Sequence, residues 1–247
     1  MSRWKAASIH LLISAVVGLI SATLIFGVWY PPPYSSAMGA GELVVLLLGV
    51  NIVLGPLLTL VVFKSGKKYL RLDLAIIALA QACALVYGIS VVVGARPVFI
   101  VGQIDRFVVV AANNLDPADL AKGSQPEFRS LPWTGPRLVG AQLPTDPKEA
   151  ADLMYSSIAG KDIEKYPKYY VDYNRVSEAL IKRAKPLNEL YKKHPEAAKA
   201  VDAWLRKHQR DSAGVVWLPM IARRSDMTML LDPATRQPLD ALPIDSW

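Results

Sequence analysis

Residues Gly49–Asp73 read GVNIVLGPLLTLVVFKSGKKYLRLD. The stretch opens as an apolar helix, carries Asn51 inside it and breaks its apolar run on Gly55-Pro56. It ends in Lys64, Lys67, Lys68 and Arg71. An apolar span of this kind followed at once by positive charge is the pattern of a membrane crossing that stops at a cytoplasmic surface.

Working outward, the same composition recurs on both sides. Ile9–Tyr30, Leu43–Phe63 and Leu74–Val93 are apolar and contain no Asp, Glu, Lys or Arg. Each has about 20 residues, enough to cross a hydrocarbon core of roughly 30 Å. Three transmembrane helices are therefore expected, at about 9–30, 43–63 and 74–93. The first is too long for a cleaved signal core, whose apolar stretch runs to about 7–15 residues.

The loop from Pro31 to Gly41 has no Lys or Arg, whereas Arg3 and Lys5 precede the first span and four basic residues follow the second. By the positive-inside rule the N-terminus and second loop face the cytoplasm. Three crossings then place residues 95–247 outside, which in a bacterium is the periplasm. The chain divides into a membrane part, 1–94, and a periplasmic part, 95–247. Of the net charge of +7, +4 belongs to residues 1–95, so the basicity is largely topological and gives no nucleic-acid footprint. The single cysteine, Cys83, excludes an intrachain disulfide, so the outer domain must hold itself by its own core.

After Val93 the pattern changes. Val98–Val101 and Phe107–Ala111 are β-branched and aromatic runs, read as two strands around a tight connection. Residues 135–143, GPRLVGAQL, suggest an edge strand. Asp146-Pro147 with Glu149 starts a helix that Gly160 stops. Asn174–Arg210 is helical in pattern, with Pro186 and Pro195 set to kink or split it. Gly214–Arg223 and Met227–Asp232 read as strands again. The expected fold is three N-terminal transmembrane α-helices followed by an α+β periplasmic domain, its terminal strands pairing around a helical middle. Trp29, Tyr30 and Tyr34 are expected in an interfacial aromatic belt.

No catalytic constellation emerges. His10, His194 and His208 have no metal-ligand spacing with Cys, Asp or Glu, and there is no nucleophile elbow, phosphate loop or dinucleotide fingerprint. Neither an enzyme nor a cofactor is expected. The membrane helices say more. Asn51, about nine residues inside Glu42, lies about 13 Å deep. Asn51, Gly55 and Thr59 fall on one helical stripe, and Pro56 cannot donate to the carbonyl of Ile52. Ser14, Gly18 and Ala22 make a similar stripe, as do Ala78 and Ala82 with Gln81 alongside. Such stripes let helices approach closely, either their own neighbours or a foreign transmembrane helix. In the outer domain Tyr166, Tyr169, Tyr170 and Tyr173 are either core packing or a binding ridge.

MSRWKAASIHLLISA (1–15), LLGVNIVLGPLLTLVVFKSGKK (47–68), LRLDLAIIALAQACALVYGI (70–89), ARPVFIV (95–101) and DRFVVV (105–110) resemble the TfpX/TfpZ family of type IV pilin accessory proteins. The family pattern often has Asp where this chain has Asn51, so no obligate carboxylate is implied at that depth. The resemblance implies a bacterial inner-membrane protein, not an enzyme, that acts with a cognate major pilin. The helix or pilin contacts expected from the residues themselves are Asn51, Gly55, Pro56, Thr59 and Gln81 in the membrane and the four tyrosines outside it. Membrane lipid is the other expected partner, and the oligomeric state is left open. The competing reading is a membrane-anchored periplasmic sensor working through a partner, because its cytoplasmic parts are too small for an output domain of their own.

Overall fold

The computed structural model describes residues 2–246. Three helices are long and apolar enough to cross a membrane: α1 (Arg3–Trp29), α2 (Ala40–Val62) and α3 (Leu70–Gly94). They begin earlier than the apolar runs because polar residues continue the helix beyond the hydrocarbon. The Ser2 side chain caps α1 by accepting from Lys5 N at 3.2 Å, and Asp73 lies in the first turn of α3. α2 packs against both α1 and α3 and so lies between them.

The rest is a mixed sheet with helices. Its strands are β1 (Pro97–Gln103), β2 (Arg106–Ala111), β3 (Arg137–Ala141), β4 (Tyr170–Val171), β5 (Lys185–Pro186), β6 (Val216–Ile221), β7 (Met227–Leu231) and β8 (Pro238–Leu242). The order is β4-β3-β1-β2-β6-β7-β8, and β5 also pairs with β6. β1 runs parallel to β3, and β2 runs parallel to β6 across the helical middle of the chain. The expected pairing of early and late strands is thus present. β3 is one strand in from the edge, because the short β4 covers it. The helices are α4 (Pro147–Ile158), α5 (Asn174–Ile181), α6 (Leu187–Lys193) and α7 (Ala197–His208). Pro186 ends one helical stretch and takes part in β5, and Pro195 separates α6 from α7. α4 starts as its sequence demands, with the Asp146 side chain accepting from Glu149 N at 2.8 Å.

The two faces of the sheet bury different things. Side chains alternate along each strand, so Phe107, Val109, Leu218, Met220, Met227 and Met229 share one face. Against that face pack Val176 and Leu180 of α5 and, in the same cluster, Ile25, Tyr30, Met38, Val44, Leu47 and Val92 from the sheet-side ends of the three long apolar helices and the loop between α1 and α2. The other face carries two clusters. One is built on Val98, Val101 and Val110, and the other on Trp217 and Leu230 beneath α6 and α7.

The first loop is therefore not a free interfacial belt. Tyr30 is fully buried and its hydroxyl donates to Val92 O at 2.8 Å. Trp29 stacks on Trp133 with ring centroids 6.5 Å apart, and Arg224 N donates to Ala37 O at 2.8 Å. Tyr30 belongs to the core on this face of the sheet, and Trp29 and Tyr34 are partly buried against it.

Candidate functional site

The polar residues of the membrane helices form one seam. Within α2, Val50–Leu54 is a π turn, in which each backbone N–H reaches five residues back. Pro56 stands five residues after Asn51 and has no N–H, so the Asn51 carbonyl loses its donor. Gln81 of α3 replaces it, its Nε2 donating to Asn51 O at 3.0 Å. Pro56 thus costs the helix a donor at the carbonyl of Asn51, on the π count, as well as at that of Ile52, on the α count. The Asn51 side chain donates to Leu47 O at 2.9 Å.

Gly55 makes room for this repair. A Cβ at that position would lie 1.9 Å from Gln81 Nε2, so only glycine admits the amide where it sits. Thr59, one turn further on, is buried and its hydroxyl lies 2.6 Å from His10 Nδ1 of α1. Gly18 and Gly88 serve the same close packing. A Cβ on Gly18 would be 3.1 Å from Ile52 and Leu48 atoms, and one on Gly88 only 2.3 Å from Leu47 Cδ1. The structure therefore brings Asn51, Gly55, Pro56, Thr59 and Gln81 together, and it uses Gly55, Thr59 and Gln81 to join α2 to its own neighbours.

Two grooves flank the seam. One, of about 380 Å³, lies between α2 and α3 and is lined by Leu43, Leu47, Val50, Asn51, Tyr87 and Gly88 among others. The second, of about 200 Å³, lies between α1 and α3 with Asn51 of α2 on its wall. Ile13, Ser14, Ala78, Gln81 and Ala82 line it as well. Asn51 borders both.

Where the helices leave the apolar zone, Arg96 is buried. Its guanidinium donates to Val93 O at 2.7 Å and to Pro132 O at 3.3 Å, and lies 5.3 Å from the Trp133 ring centroid. This ties the end of α3 to the loop before β3. Arg224 pairs with Glu42, in the first turn of α2, at 2.7 Å.

In the sheet domain the tyrosine cluster is mostly interior. Tyr170 is fully buried, with Phe99 and Phe128 edge-on to its ring, and Tyr173 is buried with its hydroxyl donating to Arg236 O at 3.0 Å. Tyr169 is buried as well and donates to Glu149 Oε1 at 3.1 Å. Tyr166 alone of the four is half-buried. The Tyr170 hydroxyl donates to Glu164 O, and Gln103 Nε2 donates to Glu164 Oε2 at 3.3 Å. Burial pushes the Glu164 carboxyl above the usual carboxylate range.

The exposed apolar surface of this domain lies elsewhere. Met154, Tyr155 and Ile158 project from α4, with Leu143 just before it, each more than half exposed. Their spacing of one and four residues along a helix was visible in TDPKEAADLMYSSIAG, but it reads equally as a buried face. Among the described residues no three His, Cys, Asp or Glu side chains are placed to hold a metal ion.

Residues 1–39 match the family model described as fimbrial assembly protein FimB. Over 246 residues the chain is 30% identical to the fimbrial assembly protein of serogroup I from Dichelobacter nodosus, covering 98% of this chain and 95% of that protein. The serogroup E1 protein of the same organism matches to the same extent. Over 36 residues, 15% of this chain and 75% of its own length, the serogroup A1 protein is 56% identical. No solved structure matches.

Proposed function

Because the chain belongs to the fimbrial assembly protein family, we propose that it is an inner-membrane accessory protein of the TfpX/TfpZ kind, a chaperone or assembly factor for one cognate major type IV pilin. Its N-terminus is cytoplasmic and its sheet domain periplasmic, following the basic-residue bias of Arg3, Lys5 and Lys64–Arg71. A pilin subunit awaiting assembly has an apolar helix in the membrane and a globular head outside. The observation that carries the reading is the shared core. The outer ends of three membrane helices and a soluble sheet are packed as one cluster, so a surface within the bilayer and a surface beyond it are presented together.

The apolar ridge Met154–Tyr155–Ile158 is the surface we assign to the pilin head, since large exposed apolar groups outside the membrane mark contact sites. Tyr166 is the one residue of the tyrosine cluster left with enough exposure to contribute at its rim. The reading assigns no catalytic step and no cofactor. Its test is deletion in the native host. Surface pili and the steady-state level of the major pilin should fall several-fold and return with a plasmid copy. Unchanged piliation and pilin level would contradict it.

A further inference from the structure

We propose that the groove between α1 and α3 seats the transmembrane helix of the pilin, through a side chain on that helix that both donates and accepts hydrogen bonds at mid-bilayer depth. The inference rests on the pilin reading above and adds the place and the chemistry of contact.

The argument begins with Ser14. It is 7% exposed, lies on the groove wall, and its hydroxyl has no hydrogen-bond partner among the described residues. On the same helix Ser21 and Thr23 take the ordinary solution, each hydroxyl donating to the carbonyl four residues back at 2.9 Å. Ser14 does not, and in hydrocarbon no water replaces the missing bond. Across the groove stands Asn51, also 7% exposed, whose Nδ2 donates to Leu47 O while its side-chain oxygen receives no donor among the described residues. A hydroxyl and an amide oxygen thus face one gap, both short of partners.

What fills the gap follows from depth. Ser14 is eleven residues beyond Arg3, about 16 Å along the helix, and Asn51 is about 13 Å inside the opposite end. Lipid headgroups do not reach that depth and acyl chains carry no donors or acceptors. The occupant is therefore a protein side chain bearing a hydroxyl, an amide or a protonated carboxyl. Ser14, Ala78 and Ala82 keep the rim low enough for a helix backbone to come close. The volume of about 200 Å³ suits an inserted side chain rather than a whole helix.

The test places a photo-crosslinking amino acid at Ile13, on the groove wall, and separately at Val61, which is 80% exposed to lipid. Both are made in the full chain, in cells that make the pilin. The expected result is a pilin adduct from Ile13 and none from Val61. Ser14→Ala, which breaks no internal bond, should lower the Ile13 adduct about threefold, the worth of one hydrogen bond in a bilayer. Ala82→Leu, which fills the groove from an exposed position, should lower it more than tenfold. A pilin that co-purifies but crosslinks equally from both positions would overturn the groove assignment and leave the pilin reading standing. An adduct between two copies of this chain from Ile13, or no protein adduct while pilin co-purifies, would overturn it too. Failure of pilin to co-purify at all would bring down the reading on which it rests.

Discussion

At the scale of single residues, polar groups in an apolar setting explain most of what is particular to this chain. The stripe of Asn51, Gly55 and Thr59 was legible from spacing alone, because helical periodicity is local. Its use was not. That Gln81 reaches Asn51 O, and that His10 meets Thr59, depends on how three helices are rotated against one another, which no spacing encodes. The tyrosines show the same limit, since Tyr170 and Tyr173 look like a ridge in sequence but point into the two opposite sides of the sheet. Glu164 gives a residue-scale prediction. Burial raises its folded-state carboxyl above the ordinary range, so the folded protein holds this proton more tightly than the unfolded chain does. That contribution favours folding below the ordinary carboxylate range and is lost as pH rises through the raised value. Glu164→Gln removes the titration and gives the buried, unpartnered Gln103 Oε1 a donor to meet. The variant should therefore melt above the parent at pH 7, with the difference shrinking at pH 4. An equal difference at both pH values would refute the assignment.

At the scale of elements, the three membrane helices and the α4 start were readable because hydropathy and capping are written in contiguous residues. The split of 174–210 at Pro186 and Pro195 was readable for the same reason, since a missing donor acts where it stands. The π turn at Val50–Leu54 was not, and it leaves the Asn51 carbonyl to be met from α3. This turn makes a specific demand on energetics. Gln81→Leu leaves Asn51 O unpaired and should destabilise the protein by about 1 kcal/mol. In a Pro56→Ala background residue 56 regains an N–H five positions after Asn51, so the same change should cost less than half as much. Thermal unfolding of the four proteins in detergent closes this cycle. Additive effects would show that Gln81 does not compensate for Pro56.

At the scale of the whole molecule, the division into a membrane part and an outer domain follows the change of pattern after Val93, but the physical boundary is softer. Tyr30, Met38, Val44 and Leu47 belong to the same core as Met220 and Met229. Such long-range packing is invisible to a scan along the chain, which read Tyr30 as part of a membrane belt although it is fully buried. The consequence for function is that the bilayer surface and the α4 ridge are carried on one body. A partner with both a membrane helix and a head can then be held at two points, with the second contact made at high local concentration. The central claim is that this partner is the major pilin. The most direct measurement is a pull-down of the tagged, full-length protein from detergent-solubilised membranes of the native host, compared with a strain lacking the major pilin gene. Recovery of the pilin as the main protein lost from the second sample is the expected result. Equal patterns from both strains, with no pilin enriched from the first, would contradict it.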